Sequence, residues 1–182
     1  MFGKITAQKM LGGLEGQLGE DDYTEPLNIL IDSAKKNNTF NFFGSIAFKN
    51  QLKDRFKVRK EIYKLVKDKD LPQPADPIFV TGLPRSGTTF LFNLLSQDHN
   101  HRSPLYWEIM NPLPIAKTSQ QKKWRQNKIN FQLKFARTII PKLRAMHHIR
   151  GETPEECMLI ATMNVRSIVY LCMADVPEYA EY

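Results

Sequence analysis

The segment from residue 78 to residue 96 constrains the fold of this chain more than any other part of it. The segment begins with Ile78–Thr81, a short apolar, β-rich run that predicts a buried strand. The sequence Gly-Leu-Pro-Arg-Ser-Gly follows, and it cannot easily continue either a strand or a helix. From Thr88 to Ser96 the apolar pattern predicts a helix that packs on apolar neighbours. A strand, a glycine-rich loop and a helix in this order predict an α/β fold.

The loop Gly82–Thr89 nearly matches the phosphate-binding pattern GxxxxGK[ST]. Glycines allow a tight turn, and the first amides of the following helix lack carbonyl partners and point at a bound anion. Thr88 stands where the pattern has lysine, and the positive charge comes earlier, at Arg85. No apolar strand ending in an aspartate follows Gly87, although a nucleoside triphosphatase needs such acidic help to hold magnesium. The sequence therefore predicts a site for an anionic diester-like group without a metal. The alternative is a tight turn that binds nothing.

The rest of the chain is predicted to be mostly helical. Three prolines between residues 71 and 77 predict a loop, which separates a helical N-terminal region, residues 1–70, from a second region, residues 71–182. The hydrophobic patterns predict helices at about Glu25–Lys36 and Ser119–Ile140, and one long helix or two joined ones over Phe42–Val66. A last helix is predicted to open at Thr153, which caps it with Glu156 three residues later, and to continue from Cys157 to about Ala174. Within the last of these, residues 166–173 have a strand as their alternative.

The composition limits the partners and the cofactors. Lysine and arginine number 26 against 19 aspartates and glutamates, a formal net charge of +7. This excess fits a phosphorylated partner and equally a solvated lysine-rich face. The basic residues are spread along helices without a motif that reads bases, which argues against nucleic acid. The four histidines and two cysteines show no metal-ligand spacing, so no metal is expected.

The same inventory bears on location. No apolar run approaches the roughly 18–20 residues of a membrane span, and the N-terminus lacks the apolar core of a secretion signal. Cys157 and Cys172 are too few for a disulfide scaffold, and we expect them to be buried free thiols. These features predict a cytoplasmic protein.

The sequence DPIFVTGLPRSGTTFLFNLLSQD at residues 76–98 resembles the 5′-phosphosulfate loop of sulfotransferases that use 3′-phosphoadenosine 5′-phosphosulfate (PAPS). It is most similar to the Pro-Arg-Ser-Gly-Thr-Thr group, which is related to the tyrosylprotein sulfotransferases. The resemblance continues into SPLYWEIMNPLP at residues 103–114 and, more weakly, into TPEECMLI at 153–160 and VPEY at 176–179.

The resemblance implies a P-loop NTPase-like, three-layer fold with a parallel sheet. An open sheet needs several strands, and the sequence shows one convincing strand. The family's Arg-Asp-Pro segment, which binds the 3′-phosphate, is not found here, and Arg166-Ser167 is a poor substitute for it. The chain is therefore expected to be the N-terminal part of a longer enzyme, with the sheet incomplete and residues 71–182 forming part of the PAPS-binding domain.

The resemblance also implies residue roles. Arg85 would contact the 5′-phosphosulfate and stabilise the charge that develops on the leaving oxygen. Ser86, Gly87, Thr88 and Thr89 would hold the phosphate through amides and hydroxyls.

Glu108 would be the base, since sulfuryl transfer to a hydroxyl needs a proton acceptor. The alternative is that Glu108 is a structural partner of Arg85. His147 or His148 is the second candidate base, because cytosolic sulfotransferases use a histidine roughly as far beyond their loop.

The function predicted by the resemblance is sulfuryl transfer from PAPS to a hydroxyl or amine acceptor, which could be a small molecule, a glycan or a peptide. One alternative is a P-loop kinase or nucleotide hydrolase, and magnesium dependence would distinguish it. Another is a non-catalytic module that binds adenosine phosphates. The oligomeric state and the acceptor stay open.

Overall fold

The computed structural model describes residues 6–37, 40–72, 76–83, 86–139 and 149–182. The chain divides into two compact units. We call them the helical unit, Met1–Asp70 with Cys157–Tyr182, and the loop unit, Leu71–Glu156. The helices of the helical unit are α1 (Ala7–Leu11), α2 (Thr24–Lys36), α3 (Phe42–Val66), α7 (Val169–Met173) and α8 (Pro177–Glu181), with 3₁₀ turns at Cys157–Leu159 and Ala161–Asn164. The helices of the loop unit are α4 (Thr88–Leu95), α5 (Tyr106–Met110) and α6 (Ser119–Ile139).

The core of the helical unit forms where one apolar face of α2 and one of α3 are buried. Leu27, Leu30 and Ile31 recur on α2 at helical spacing, and each is almost completely buried. On α3, Leu52 and Phe56 are fully buried one turn apart. The predicted helices at residues 25–36 and 42–66 are thus confirmed, and their apolar faces supply the core.

The C-terminal segment of the chain is tied to α2 and α3 by polar contacts. The Glu178 carboxylate accepts hydrogen bonds from the Ser33 hydroxyl at 2.5 Å and the Asn37 amide at 3.0 Å, and it pairs with the Lys36 ammonium. From α3, the Arg59 guanidinium donates to the side chain of Asn164 at 2.8 Å. These contacts fix residues that are far apart in the sequence.

The continuous helix predicted from Cys157 to Ala174 is wrong. The segment forms two 3₁₀ turns before α7, and the chain reverses at Val165, whose φ is +55°. Val165 is fully buried, and its carbonyl accepts a hydrogen bond from the Tyr179 hydroxyl at 2.6 Å. Burial of Val165 and the hydrogen bond to its carbonyl therefore override the local helical pattern. Cys157 and Cys172, expected to be buried, are free and exposed.

The strand predicted at residues 78–81 is not observed. Within the described ranges no residue belongs to a strand, and the one bridge pair recorded there is Leu105 with Pro154. A strand exists only where a second strand pairs with it. Phe79 keeps 80% of its surface exposed. The run at 78–81 therefore has the apolar composition of a buried strand, but its phenylalanine is not buried.

The small core of the loop unit lies between α5 and α6. Trp107 and Ile109 of α5 are buried, and so is Ile129 of α6. The Arg125 guanidinium lies 5.9 Å from the centre of the Trp107 ring, a cation–π contact. The helix predicted from residue 119 is confirmed to Ile139, and Ile140 lies outside the described residues.

Candidate functional site

The glycine-rich loop closes tightly at the start of α4. Gly87 has φ of +88°, a left-handed conformation that glycine adopts without strain, and it is the residue before the first helical position. The amide of Ser86 donates to the carbonyl of Leu83 at 3.1 Å, which closes a turn. The first amides of α4 have no carbonyl partner within the helix, so they and the helix dipole favour an anion at this end.

Gly82 lies so close to the side chains of Ser86 and Thr88 that a larger residue there would require both of them to move. A Cβ atom at Gly82 would lie 2.8 Å from the Ser86 hydroxyl oxygen and 3.0 Å from the Thr88 methyl carbon. Both distances are shorter than ordinary contacts. The absence of a side chain at Gly82 therefore lets the chain that enters the loop lie directly against the residues that leave it.

The structure gathers four of the predicted binding residues at one place, the N-terminal end of α4. Ser86 and Gly87 are exposed, and Thr88 and Thr89 are half-buried in the first turn. Exposed amides and hydroxyls at a helix N-terminus can hold an oxyanion. Three further predicted site residues, Arg85, His147 and His148, lie outside the described residues.

Glu108 occupies the first turn of α5 and has two hydrogen-bond partners. One carboxylate oxygen accepts a bond from the Leu105 amide at 3.0 Å, which caps α5. The other accepts a bond from the Arg102 guanidinium at 2.7 Å. Neither partner belongs to the glycine-rich loop. Glu108 thus has a structural function in its own segment, and its role as a base stays a prediction.

A carboxylate that the sequence analysis did not assign to the site contacts the loop helix. The Thr89 hydroxyl donates a hydrogen bond to a carboxylate oxygen of Glu156 at 3.0 Å, across 67 residues of sequence. The sequence analysis placed Glu156 in the first turn of a helix capped by Thr153. The Thr153 hydroxyl instead donates to the Arg150 carbonyl at 2.9 Å. The signal available beforehand was the resemblance of TPEECMLI at residues 153–160 to the same family as the loop.

Backbone contacts fix the segment that carries Glu156. The amide of Tyr106 donates to the carbonyl of Thr153 at 3.0 Å, and the amide of Glu155 donates to the carbonyl of Pro104 at 2.9 Å. The segment therefore lies antiparallel to the start of α5, and the Glu156 carboxylate is held by a backbone whose place is fixed.

Gly151 brings the same segment against α6. A Cβ atom there would lie 2.9 Å from the carbonyl oxygen of Gln126. The Gly151 amide also donates to the side chain of Asn130 at 2.8 Å. Any side chain at residue 151 would push the segment away from α6.

A cavity of about 550 Å³ lies along the other end of α4. Its lining includes Phe92, Leu95, His101 and Arg102, and also Ile78 and Val80 of the segment that leads into the loop. The loop begins at Gly82, two residues after Val80. The cavity and the loop therefore share this segment of the chain.

The sequence predicts neither a metal site nor a membrane-spanning helix, and the described part of the chain bears on both. No group of three or more histidine, cysteine, aspartate or glutamate side chains there is placed to hold a metal ion. Nor does any described helix combine the length and the apolar character that a bilayer span requires.

The comparison with protein families bears directly on this loop. The model of the sulfotransferase family matches residues 77–182, which include the loop, α5 and the segment that carries Glu156. This chain belongs to the sulfotransferase family.

Two solved sulfotransferase structures are similar to the chain. The crystal structure of sulfotransferase STF1 from Mycobacterium tuberculosis H37Rv matches 97% of the chain with a TM-score of 0.74 and 25% identity. That of sulfotransferase STF9 from Mycobacterium avium also matches 97% of the chain, with a TM-score of 0.73 and 22% identity. The matched regions cover 52% and 48% of those proteins, so the chain spans about half the length of each. None of the curated proteins matches.

The similarity to these sulfotransferases supports the predicted P-loop-like α/β fold in its coarse form. The parallel sheet of that prediction is not confirmed, since no described residue forms a strand.

Proposed function

We propose that this sulfotransferase-family chain provides the phosphosulfate-binding half of an enzyme that transfers a sulfuryl group from PAPS to a hydroxyl or amine acceptor. The observation that carries the proposal is the closed glycine loop at the N-terminus of α4, within the region that matches the family. Family membership favours this function over a P-loop kinase and over a binding module without activity.

Several features of the loop support a site for the 5′-phosphosulfate. Gly82 lies directly against the side chains of Ser86 and Thr88, and Gly87 adopts φ of +88° just before the first turn of α4. Thr88 and Thr89 add hydroxyl donors, and Arg85 adds a guanidinium that can make paired hydrogen bonds to oxyanions. We propose Arg85, Ser86, Gly87, Thr88 and Thr89 as the residues that hold the group.

The chemistry proposed for these residues is charge stabilisation and proton removal. PAPS, when bound, supplies the sulfuryl group and an adenosine phosphate leaving group. Donors aimed at the leaving oxygen favour the transition state, in which negative charge builds up there. A base removes the acceptor's proton as the new oxygen–sulfur or nitrogen–sulfur bond forms. Glu108 is the proposed base, and His147 or His148 is the alternative.

Several finer features belong to the same proposal. We propose a three-layer arrangement with a parallel sheet that is incomplete in this chain, and a PAPS-binding domain that includes residues 71–182. The acceptor is proposed to be a small molecule, a glycan or a peptide, and the location cytoplasmic.

Nucleotide binding tests the proposal directly. We expect 3′-phosphoadenosine 5′-phosphate (PAP) to bind the chain at least as tightly as magnesium-ATP, with no change in affinity when a chelator removes magnesium. Titration calorimetry with each nucleotide, with and without the chelator, measures both affinities. Tighter binding of magnesium-ATP than of PAP would favour the kinase alternative.

Arginine variants sharpen the same titration. Arg85→Ala removes the proposed guanidinium and should weaken PAP about tenfold or more. Arg102→Ala is the matched control in the same unit, because Arg102 pairs with Glu108 and is not among the residues proposed to hold the phosphosulfate. Equal affinities of Arg85→Ala and the wild type would contradict the assignment of the loop as an anion site.

A further inference from the structure

The contact between Thr89 and Glu156 is unusual for an oxyanion-binding loop. A threonine hydroxyl has one proton to donate, and the Thr89 hydroxyl donates it to the Glu156 carboxylate. A phosphate or sulfate oxygen that binds Thr89 through the same hydroxyl needs that proton. The carboxylate and the oxyanion therefore require the same donor.

The charges of the two groups also oppose each other. A carboxylate 3.0 Å from the Thr89 hydroxyl lies beside the helix end that the anion would occupy. Like charges a few ångströms apart near a protein surface repel each other. A hydrogen bond to a charged acceptor is stronger than one between neutral groups, so the contact with Glu156 is not broken without cost.

The backbone gives Glu156 little freedom to withdraw. The amide of the neighbouring Glu155 donates a hydrogen bond to the Pro104 carbonyl at 2.9 Å. The amide of Glu156 itself donates to the Glu155 carboxylate at 3.0 Å. The side chain alone can turn away.

We propose that Glu156 is a positioning residue of the phosphate loop that competes with the bound anion for the Thr89 hydroxyl. The proposal rests on the proposed function of the loop. In the free protein the carboxylate holds the Thr89 hydroxyl turned toward itself. Binding of a phosphosulfate oxygen transfers that hydrogen bond from Glu156 to the anion. Glu156 thereby sets how tightly the loop holds its anion.

Titration calorimetry of the full chain with PAP, and separately with inorganic pyrophosphate, tests the competition. Glu156→Met removes the charge and the acceptor without adding a donor, and Glu156→Gln removes the charge, keeps one acceptor oxygen and adds an amide donor. We expect both variants to bind each anion about five- to tenfold more tightly than the wild type. Glu152→Gln is the matched control, because it removes a carboxylate of the same segment that accepts from Asn130 instead of a loop residue. It should change either affinity less than about twofold.

A second pair of variants separates competition for the hydroxyl from simple repulsion. In a Thr89→Val background the hydroxyl is absent, so Glu156→Met should improve binding less than about twofold. An equal improvement with and without the hydroxyl would overturn the proposal, since charge alone would then explain it. Unchanged or weaker binding by Glu156→Met and Glu156→Gln, both with the wild-type circular dichroism spectrum, would also overturn it.

The two anions distinguish this proposal from the proposed function. If the wild type binds pyrophosphate but not PAP, the donor assignment fails, and the pyrophosphate series still decides the role of Glu156. If the wild type binds PAP and the Glu156 variants bind it no better, the competition fails and the function stands. If no variant and no wild-type protein binds either anion, both fail.

Discussion

The helical unit and the loop unit use apolar residues in opposite ways. In the helical unit Leu27, Leu52 and Phe56 are fully buried. In the loop unit Phe79 and Phe90, which flank the glycine-rich loop, keep 80% and 75% of their surface exposed. The first unit is stabilised by its own core, at about 25 cal/mol for each Å² of apolar surface buried. The segment that contains the glycine-rich loop gains little of this stabilisation from the described part of the chain.

The difference teaches that the local structure of the loop does not depend on a core beneath it. Helix α4 forms with no buried residue along its length. Its start is determined by the conformation of Gly87 and by the close approach of Gly82 to Ser86. Backbone geometry therefore shapes the glycine-rich loop, while apolar burial would add stability from outside it.

The largest expected effect is a contrast between two phenylalanines. Phe56→Ala should lower the free energy of unfolding of the helical unit by about 3–5 kcal/mol, because it opens a cavity in a closed core. Phe90→Ala should change the stability of the loop unit by about 0.5 kcal/mol or less, because its ring is already in water. Denaturant unfolding followed by circular dichroism measures the first. Tryptophan fluorescence follows the second, since Trp107 and Trp124 both belong to the loop unit. Similar losses in the two variants would contradict the comparison.

A smaller contrast is expected between two arginines. Arg59 donates hydrogen bonds to the Leu18 carbonyl at 2.7 Å and to the Asp22 carboxylate at 2.5 Å, in addition to Asn164. Lysine cannot reproduce this fork, so Arg59→Lys should lower stability by about 1–3 kcal/mol. Arg102→Lys should cost about 1 kcal/mol or less, because its exposed pair with Glu108 is screened by water. The same two spectroscopic probes measure these changes.

The smallest effect is a dependence on pH in the helical unit. Hydrogen bonds from Lys36 and then Ser33 lower the pKa of Glu178 from 4.5 to about 2. A lowered pKa stabilises the folded state above pH 4.5, and this contribution is lost as the pH falls toward 2. Thermal unfolding should therefore show Glu178→Gln less stable than the wild type at pH 7 and equal to it near pH 2. A difference that persists at pH 2 would show that the charge of Glu178 is not its cause.

The features that could be predicted from the sequence differ between the helical unit and the loop unit. The helices α2 and α3 have long periodic patterns, and both were predicted within a residue of their observed ends. The glycine-rich loop was predicted because glycines allow a tight turn and a close approach of the backbone. The structure shows the close approach at Gly82 and the left-handed turn at Gly87.

What escaped prediction depends on contacts between distant residues. The helix expected after Cys157 is interrupted because Val165 is buried and Asn164 bonds to Arg59, and no local pattern records either contact. Glu156 was assigned to a helix start for the same reason, since its partner Thr89 is distant in the sequence. The strand at residues 78–81 was predicted from its composition alone, whereas strand formation requires a partner.

The contacts of Arg59 also have a consequence for the order in which the chain folds. The guanidinium contacts the segment between α1 and α2, which forms no helix there, and it reaches Asn164 across 105 residues of sequence. Closing such distances costs chain entropy before any contact is gained, so we expect these bonds to form late, after α3 exists. Contacts that form after the rate-limiting step slow the opening of a protein without speeding its assembly. We therefore expect Arg59→Lys to speed the unfolding of the helical unit and to leave the time that the unit needs to fold almost unchanged.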